Sequence, residues 1–311
     1  MTDRGEVPFQ AQGISKVFKE RNWRGRTHTV QAVSGLDLAL EPGEAFGLIG
    51  PNGAGKSTTI KMLMGLVRPS AGTMRLNGCP VEDHRARQGV GFLSEHPALY
   101  PQLTALEVVS GAARIQGMAR GEAQGEAERL LGEMGLAGVA RTPLRKFSKG
   151  MQQRAAIAHA LAGRPDLLVV DEPLTGLDPI WRTRVVERLM AFRDEGGTVL
   201  LSSHILADVE RLADRIGILH QGQLHAVTTP ASLIGRYVQT YVIRTQGRQD
   251  PADESFWKEG SDQWSGEVSE EALWPSLDRL RELGHQIVEV RPAGAGLEGA
   301  VMRFLEEAGA K

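Results

Sequence analysis

One stretch limits what this chain can fold into more than any other: Gly50-Pro51-Asn52-Gly53-Ala54-Gly55-Lys56-Ser57-Thr58. It matches G-x-x-x-x-G-K-[ST], the P-loop pattern. The apolar run Ala45-Phe46-Gly47-Leu48-Ile49 precedes it and reads as a buried strand. Ile60, Leu63, Met64 and Val67 follow at helical spacing. The glycines therefore sit between a strand and a helix start, the context the pattern needs. Gly50, Gly53 and Gly55 permit positive φ and close backbone approach, so successive N–H groups can cradle phosphate. The helix N-terminus adds partial positive charge there. Lys56 can reach β- and γ-phosphates, and the Ser57 hydroxyl can ligate Mg²⁺. Asn52 and Thr58 complete the nucleotide-holding stretch. The plain alternative, a Gly-rich turn with a chance lysine, does not account for the full pattern in its full context.

A chain of 311 residues suggests one or two domains and can bury a substantial core. Its apolar and charged fractions are those of a globular protein. Net charge is −2, which gives no electrostatic case for a nucleic-acid partner. The single cysteine, Cys79, excludes an internal disulfide and argues against a cysteine-based zinc site, as suits a reducing cytoplasm. No apolar stretch reaches the length of a membrane span, and the N-terminus lacks the apolar core of a signal peptide. Work at a membrane would then be that of a peripheral subunit.

Along the chain, Phe9 to Phe18 is short and mixed and reads as an edge strand. Lys16, Lys19, Arg21, Arg24, Arg26 and His28 form a basic run that carries Trp23. Such a run is usually a solvated loop. It lies close in sequence to the phosphate site, so Phe18 or Trp23 is a candidate to stack on a nucleotide base. Val33 to Leu40 alternates and reads as a half-exposed antiparallel strand. Thr73 to Leu76 followed by Asn77-Gly78 is a hairpin signal. From about Pro97 to Arg164 strand signals vanish, and helical periodicity covers Leu106–Ile115, Glu126–Met134 and Gln152–Leu161. This stretch reads as a helical insert in an α/β core.

The core then resumes. Leu167-Leu168-Val169-Val170 is a continuous apolar run, as in a central parallel strand, and ends at Asp171 and Glu172. A helix follows Pro179 and stops at Gly196-Gly197. Thr198–Leu201 reads as another buried strand, with His204 just past it. A closing hairpin spans about 216–227. Three strands thus end at Gly50, Asp171 and His204, and ligands of open α/β sheets collect at carboxyl ends of strands. After about Ala231 the composition shifts. Tyr241–Arg244 and Ile287–Val290 read as strands, and 277–283 and 297–305 as helices. The stretch between 247 and 271 is polar, and its Trp257 and Trp264 are expected in a core. The whole is a small α+β domain.

Asp171-Glu172-Pro173 after a buried strand is what Mg²⁺-dependent nucleotide hydrolysis requires. Asp171 would hold the metal, directly or through water, and Glu172 would orient or deprotonate the attacking water. Acidic residues capping the next helix would look the same in isolation. Beside a complete P-loop the catalytic reading is the stronger.

With these residues in place, the chain resembles the ATP-binding cassette family over about residues 7–230. Phe147-Ser148-Lys149-Gly150-Met151-Gln152-Gln153-Arg154 is similar to the family signature, Leu174-Thr175-Gly176-Leu177-Asp178 to the loop after the catalytic glutamate, and Ser202-Ser203-His204 to the switch-histidine segment. Val90 to Glu95 aligns with the segment that usually ends in glutamine. The resemblance implies an α/β P-loop NTPase core with an antiparallel β subdomain and a helical subdomain at about 97–164. The small α+β domain would occupy 231–311. It also implies a head-to-tail dimer, usually of two copies, with two ATP molecules at the interface. Ser148 and Gly150, just before a helix starting near Gln152, would cap the partner's γ-phosphate from a second helix N-terminus. An ordinary N-cap is compatible with that role. His204 would hydrogen-bond the γ-phosphate, and the Asp178 loop would link the two sites. Glu95 stands where glutamine is usual, and a carboxylate there can contact Mg²⁺ or water. The signature reads Ser-Lys-Gly-Met, so Lys149 adds a cation and Met151 loses a hydrogen-bonding side chain.

Both departures resemble the cassettes that serve exporters whose permease is a separate chain. The expected function is the ATPase subunit of such an exporter, at the cytoplasmic face of the plasma membrane, docking its permease near Glu95–Leu103. A soluble ATPase of the same superfamily acting on ribosomes or DNA would usually carry two cassettes, or long coiled coils between Lys56 and Ser148. A non-hydrolysing regulator would be favoured without Glu172.

Overall fold

A computed structural model of the chain describes residues 7–21, 27–237, 240–251, 253–293 and 296–309. Arg24, Arg26 and Trp23 lie outside these residues. The chain folds as two compact units, Met1–Thr228 and Thr229–Lys311.

The first unit opens with β1 (Phe9–Arg21), β2 (Thr27–Leu40) and β3 (Ala45–Ile49), and the P-loop then leads into α1 (Lys56–Leu63). After β4 (Ala71–Leu76), β5 (Cys79–Pro80) and β6 (Val90–Leu93) come three helices. These are α2 (Ala105–Ile115), α3 (Arg120–Glu133) and α4 (Lys149–Leu161). The unit ends with β7 (Leu167–Asp171), α5 (Pro179–Asp194), β8 (Thr198–Ser202), α6 (Leu206–Leu212), β9 (Arg215–His220) and β10 (Gln223–Thr228).

Two sheets organise this unit. One is antiparallel, in the order β2-β1-β4-β5. The other runs β10-β9-β3-β8-β7-β6 and is parallel except for β10. Every residue of β3, β7 and β8 is buried, which is why these strands read as continuous apolar runs. β2 alternates instead from Leu36 on, with Leu36, Leu38 and Leu40 in the core and Asp37 and Ala39 facing out.

β1 is not the edge strand its mixed pattern suggests: β2 pairs on one side of it and β4 on the other. Register shifts between Ala11 and Val17 break the two-residue alternation there and hide an interior strand. α1 stops at Leu63, so Val67 lies beyond it. α4 starts at Lys149, not near Gln152, because the Ser148 hydroxyl accepts the Met151 N–H at 3.3 Å and caps the helix one turn earlier.

The second unit contains α7 (Pro230–Tyr237), β11 (Thr240–Gln246), β12 (Phe256–Lys258), β13 (Gln263–Ser269), α8 (Glu270–Glu282), β14 (Gln286–Pro292) and α9 (Gly296–Glu307). Its antiparallel sheet runs β12-β13-β11-β14 over a core of Ile243, Val268, Leu273 and Leu280. β12 and β13 fall in the stretch that reads as merely polar. β13 buries Ser265 and Gly266, small residues without a hydropathy signal. Of the two tryptophans expected in the core, Trp264 is buried and donates its indole N–H to the Gly247 carbonyl at 3.1 Å. Trp257 is 48% exposed, because β12 is an edge strand of only three residues. Among the described residues no helix is long and apolar enough to cross a membrane.

Candidate nucleotide site

The parallel sheet brings the separate motifs to one edge. β3, β8 and β7 are neighbours, and Ser202 at the end of β8 is in register with Leu48 on one side and Asp171 on the other. The P-loop, the acidic pair and His204 therefore leave the sheet side by side.

The loop is held by backbone alone at its tightest points. Gly50 has φ +151, and a Cβ there would fall 2.0 Å from the Leu219 carbonyl oxygen. Gly55, the N-cap of α1, has φ +107, and a Cβ would meet the Ala32 oxygen at 2.4 Å. Only glycine fits either position. Asn52 and Gly53 form the exposed crown of the loop. Thr58 lies in the first turn of α1. Lys56 bends back over the loop, donating to the carbonyls of Gly50 at 2.6 Å and Pro51 at 3.2 Å. Burial depresses the affinity of its amine for a proton, and the nearby Glu172, Asp171 and Glu95 carboxylates oppose that shift. Glu95 is exposed at the end of the segment after β6, with its charge directed at the same lysine.

Asp171 is buried and receives hydrogen bonds from the Ser57 hydroxyl at 3.3 Å and from the Ser202 hydroxyl. Glu172 has left-handed backbone, φ +53, rare for a residue with a side chain. Its N–H is anchored on the Ser202 carbonyl at 3.1 Å and hydroxyl at 3.3 Å. One carboxylate oxygen lies 2.7 Å from Nδ1 of His204. Burial raises the pKa of Glu172 above the usual carboxylate value, while His204 and Lys56 pull it back down. A buried carboxylate with raised basicity, oriented by a histidine, is the chemistry of a general base. The His204 side chain is about half exposed and faces outward from this pair.

Other predicted residues lie elsewhere. Ser148 is the N-cap of α4, and Gly150 lies in that helix's first turn, against the Gly176 carbonyl. Asp178 is the N-cap of α5, accepting the Trp181 N–H at 3.0 Å. Phe18 is on β1, partly exposed, with the Lys16 ammonium 5.0 Å from its ring centre. It pairs with Val30, two residues from the Ala32 carbonyl that abuts the P-loop.

The structure adds residues to which sequence reasoning gave no role. Ser202 fastens Asp171 and the Glu172 backbone. Gln153 on α4 donates to the Pro173 carbonyl at 2.8 Å, tying that helix to the turn after Glu172. The Arg154 guanidinium stacks on Trp181 at 4.0 Å and joins α4 to α5. A basic residue three after the signature and an aromatic three after Asp178 were the signals available in sequence.

Ser57 and Asp171 present adjacent oxygen ligands, the donor set of a hard divalent cation that completes its shell with phosphate and water. No cluster of three or more acidic, histidine or cysteine ligands exists among the described residues, so no all-protein metal cage competes with that arrangement.

A P-loop at the end of a central strand, an acidic pair two strands away and a histidine after the strand between them define a P-loop NTPase of the ATP-binding cassette kind. Residues 33–175 match the ABC transporter family. An ABC transporter ATP-binding protein of Synechocystis is 34% identical over 304 residues, 95% of this chain and 84% of that protein. A Nod factor export ATP-binding protein I of Burkholderia thailandensis is 40% identical over 248 residues, 79% of this chain and 78% of the other. Among solved structures, a dimeric ATP-binding cassette in a post-hydrolysis state with ADP and Pi superposes with a TM-score of 0.65. It shares 25% identity and covers 71% of this chain and 98% of its own. The chain belongs to the ABC transporter ATP-binding protein family and is an ATP-binding subunit of that class, with its P-loop NTPase fold.

Proposed function

We propose that this chain hydrolyses Mg²⁺-bound ATP to drive an exporter whose permease is a separate chain. The observation that carries the proposal is the Glu172–His204 contact of 2.7 Å at the strand edge shared with Lys56. Lys56, with the N–H groups of Gly50 to Thr58, binds the β- and γ-phosphates. Ser57 and Asp171 would hold Mg²⁺, with the Glu95 carboxylate as a further oxygen donor, and the ion would supply charge neutralisation at the phosphates. Glu172 takes the proton of the attacking water. His204 orients Glu172 by donating from Nδ1, and a hydrogen bond to the γ-phosphate requires an N–H on its other ring nitrogen as well. Phe18 stacks on the base.

Ser148 and Gly150 serve a second copy's nucleotide in a head-to-tail dimer. The N-terminus of α4 is an anion site separate from the P-loop, and a similar cassette is known as a dimer. The Asp178 loop joins the two sites. Residues 7–230 form the ATPase domain, with a helical subdomain at about 97–164, and 231–311 an accessory domain. The permease docks near Glu95–Leu103, where Tyr100 is 70% exposed, at the cytoplasmic face of the plasma membrane. The export-named relative supports transport over ribosome or DNA work.

Glu172→Gln tests the mechanism. Turnover should fall about 10²–10⁴-fold while ATP binding persists, and ATP should drive the variant to a dimer on size exclusion. Wild-type turnover in this variant would remove Glu172 from the chemistry.

A further inference from the structure

A cavity of about 590 Å³ lies at the other edge of the parallel sheet, where β3, β7 and β8 begin. Its size is within the range of small-molecule sites. Leu161, Leu167 and Phe192 give it apolar walls. Three arginines, Arg129, Arg164 and Arg188, face three carboxylates, Glu126, Asp166 and Glu195. This balance disfavours a polyanion such as a nucleotide.

The arginines are not equally engaged. Arg129 is held by Glu126 at 2.7 Å and by Glu133. The Arg164 side chain is 67% exposed, and its ion pairs with Glu126 at 3.8 Å and Glu122 at 3.9 Å are loose. Arg188 donates through Nε to Glu133 at 3.2 Å, but its Nη1 is shut off from solvent with no hydrogen-bond partner among the described residues. The ionic neighbour of Nη1, Glu195, stands 3.9 Å away. A covered N–H without an acceptor costs free energy that an incoming oxygen would recover. Nη1 is covered, so an anion can reach it only if the guanidinium turns toward the cavity about its Nε–Glu133 contact.

We propose that this cavity binds a small amphiphile, an apolar body carrying one carboxylate-, phosphate- or sulfonate-type anion, with Arg188 and Arg164 as anion anchors. α4 and α5 reach the cavity with their C-terminal ends, Leu161 and Phe192, and carry Ser148 and Asp178 as N-caps at the other end. The site is therefore remote from the P-loop yet built on the same two helices.

The test uses the full chain and 8-anilinonaphthalene-1-sulfonate, an aromatic body with one sulfonate, titrated by fluorescence with the P-loop saturated by a non-hydrolysable ATP analogue. Saturable one-site binding is expected with the nucleotide present. Arg188→Met should weaken it about ten-fold or more, the order expected for one hydrogen bond to a charged group. Arg164→Glu, at an exposed position that leaves folding intact, should weaken it several-fold. N-phenyl-1-naphthylamine, which lacks the sulfonate, should bind at least ten-fold more weakly than the sulfonated probe. Equal affinity for the two probes, displacement of the sulfonate by nucleotide, or affinity unchanged in both variants would overturn the proposal.

Discussion

Replacing Ser202 with alanine should damage the first unit out of proportion to the single oxygen removed. Ser202 is fully buried, and its hydroxyl donates to Asp171 and accepts the N–H of Glu172 at 3.3 Å. A buried hydrogen bond to a charged acceptor contributes about 1.5–3 kcal/mol. No solvent screening reduces that figure, because Asp171 is buried as well. The Glu172 N–H keeps its second acceptor, the Ser202 carbonyl at 3.1 Å, so the variant should still fold. For a unit of this size each kcal/mol shifts the midpoint by roughly 2–4 °C, so calorimetry should show a fall of about 3–12 °C. Ser203→Ala is the internal control. Its hydroxyl makes local neutral contacts with the Ile205 backbone, at 3.0 Å and 3.5 Å, contributing about 0.5–1.5 kcal/mol. A Ser202→Ala midpoint within about 1 °C of wild type, or a loss no larger than that of Ser203→Ala, would refute the assignment of Ser202 as the fastening of the acidic pair.

Three further outcomes follow from the same geometry. Burial raises the Glu172 pKa and His204 lowers it, so His204→Ala should raise it further. Glu172 must be ionised to act as base, so the acid limb of the residual pH–rate profile should move to higher pH, and an unmoved or downward-moving limb would contradict the pairing. Gly55→Ala should cost about 1–3 kcal/mol from its φ of +107 alone, before the contact with the Ala32 oxygen, and a urea midpoint equal to wild type would refute the fit. Trp181→Ala and Arg154→Ala should couple by about 0.5–2 kcal/mol in a double-mutant cycle, and strict additivity would show the stack to be idle.

What could be read from the sequence was whatever a local pattern encodes. The P-loop glycines, Lys56 and Ser57 are adjacent in the chain, and their flanking strand and helix announce themselves by period. The acidic pair was legible because it ends an apolar run. Ser202 was not: a serine closing a buried strand carries no mark of its partner 31 residues earlier, which only the β7–β8 register supplies. The bulges of β1 disturb its alternation, and two of the four buried positions of β13 are Ser265 and Gly266, so neither strand shows its period in sequence. Nothing local distinguishes Trp257 from Trp264, since their burial is decided by strand order. The apolar period of α4 begins after its capped first turn, so the pattern does not mark the start of the helix.

The left-handed backbone of Glu172 explains why these remote details bear on the site. A non-glycine residue at φ +53 carries strain of about 1–3 kcal/mol and persists only when its surroundings over-determine it. Here the constraint comes from two directions. From the sheet, Ser202 grips the residue's N–H through both of its oxygens. From the helical side, Gln153 of α4 grips the carbonyl of the next residue, Pro173. Gly150, in the first turn of the same helix, rests on the Gly176 carbonyl of the loop that continues from that turn. The carboxylate that meets His204 is thus aimed by a backbone held between β8 and α4, not by its own side-chain rotamer alone. The end of α4 that carries Ser148 and the turn that carries Glu172 are joined by a hydrogen bond and a close backbone approach.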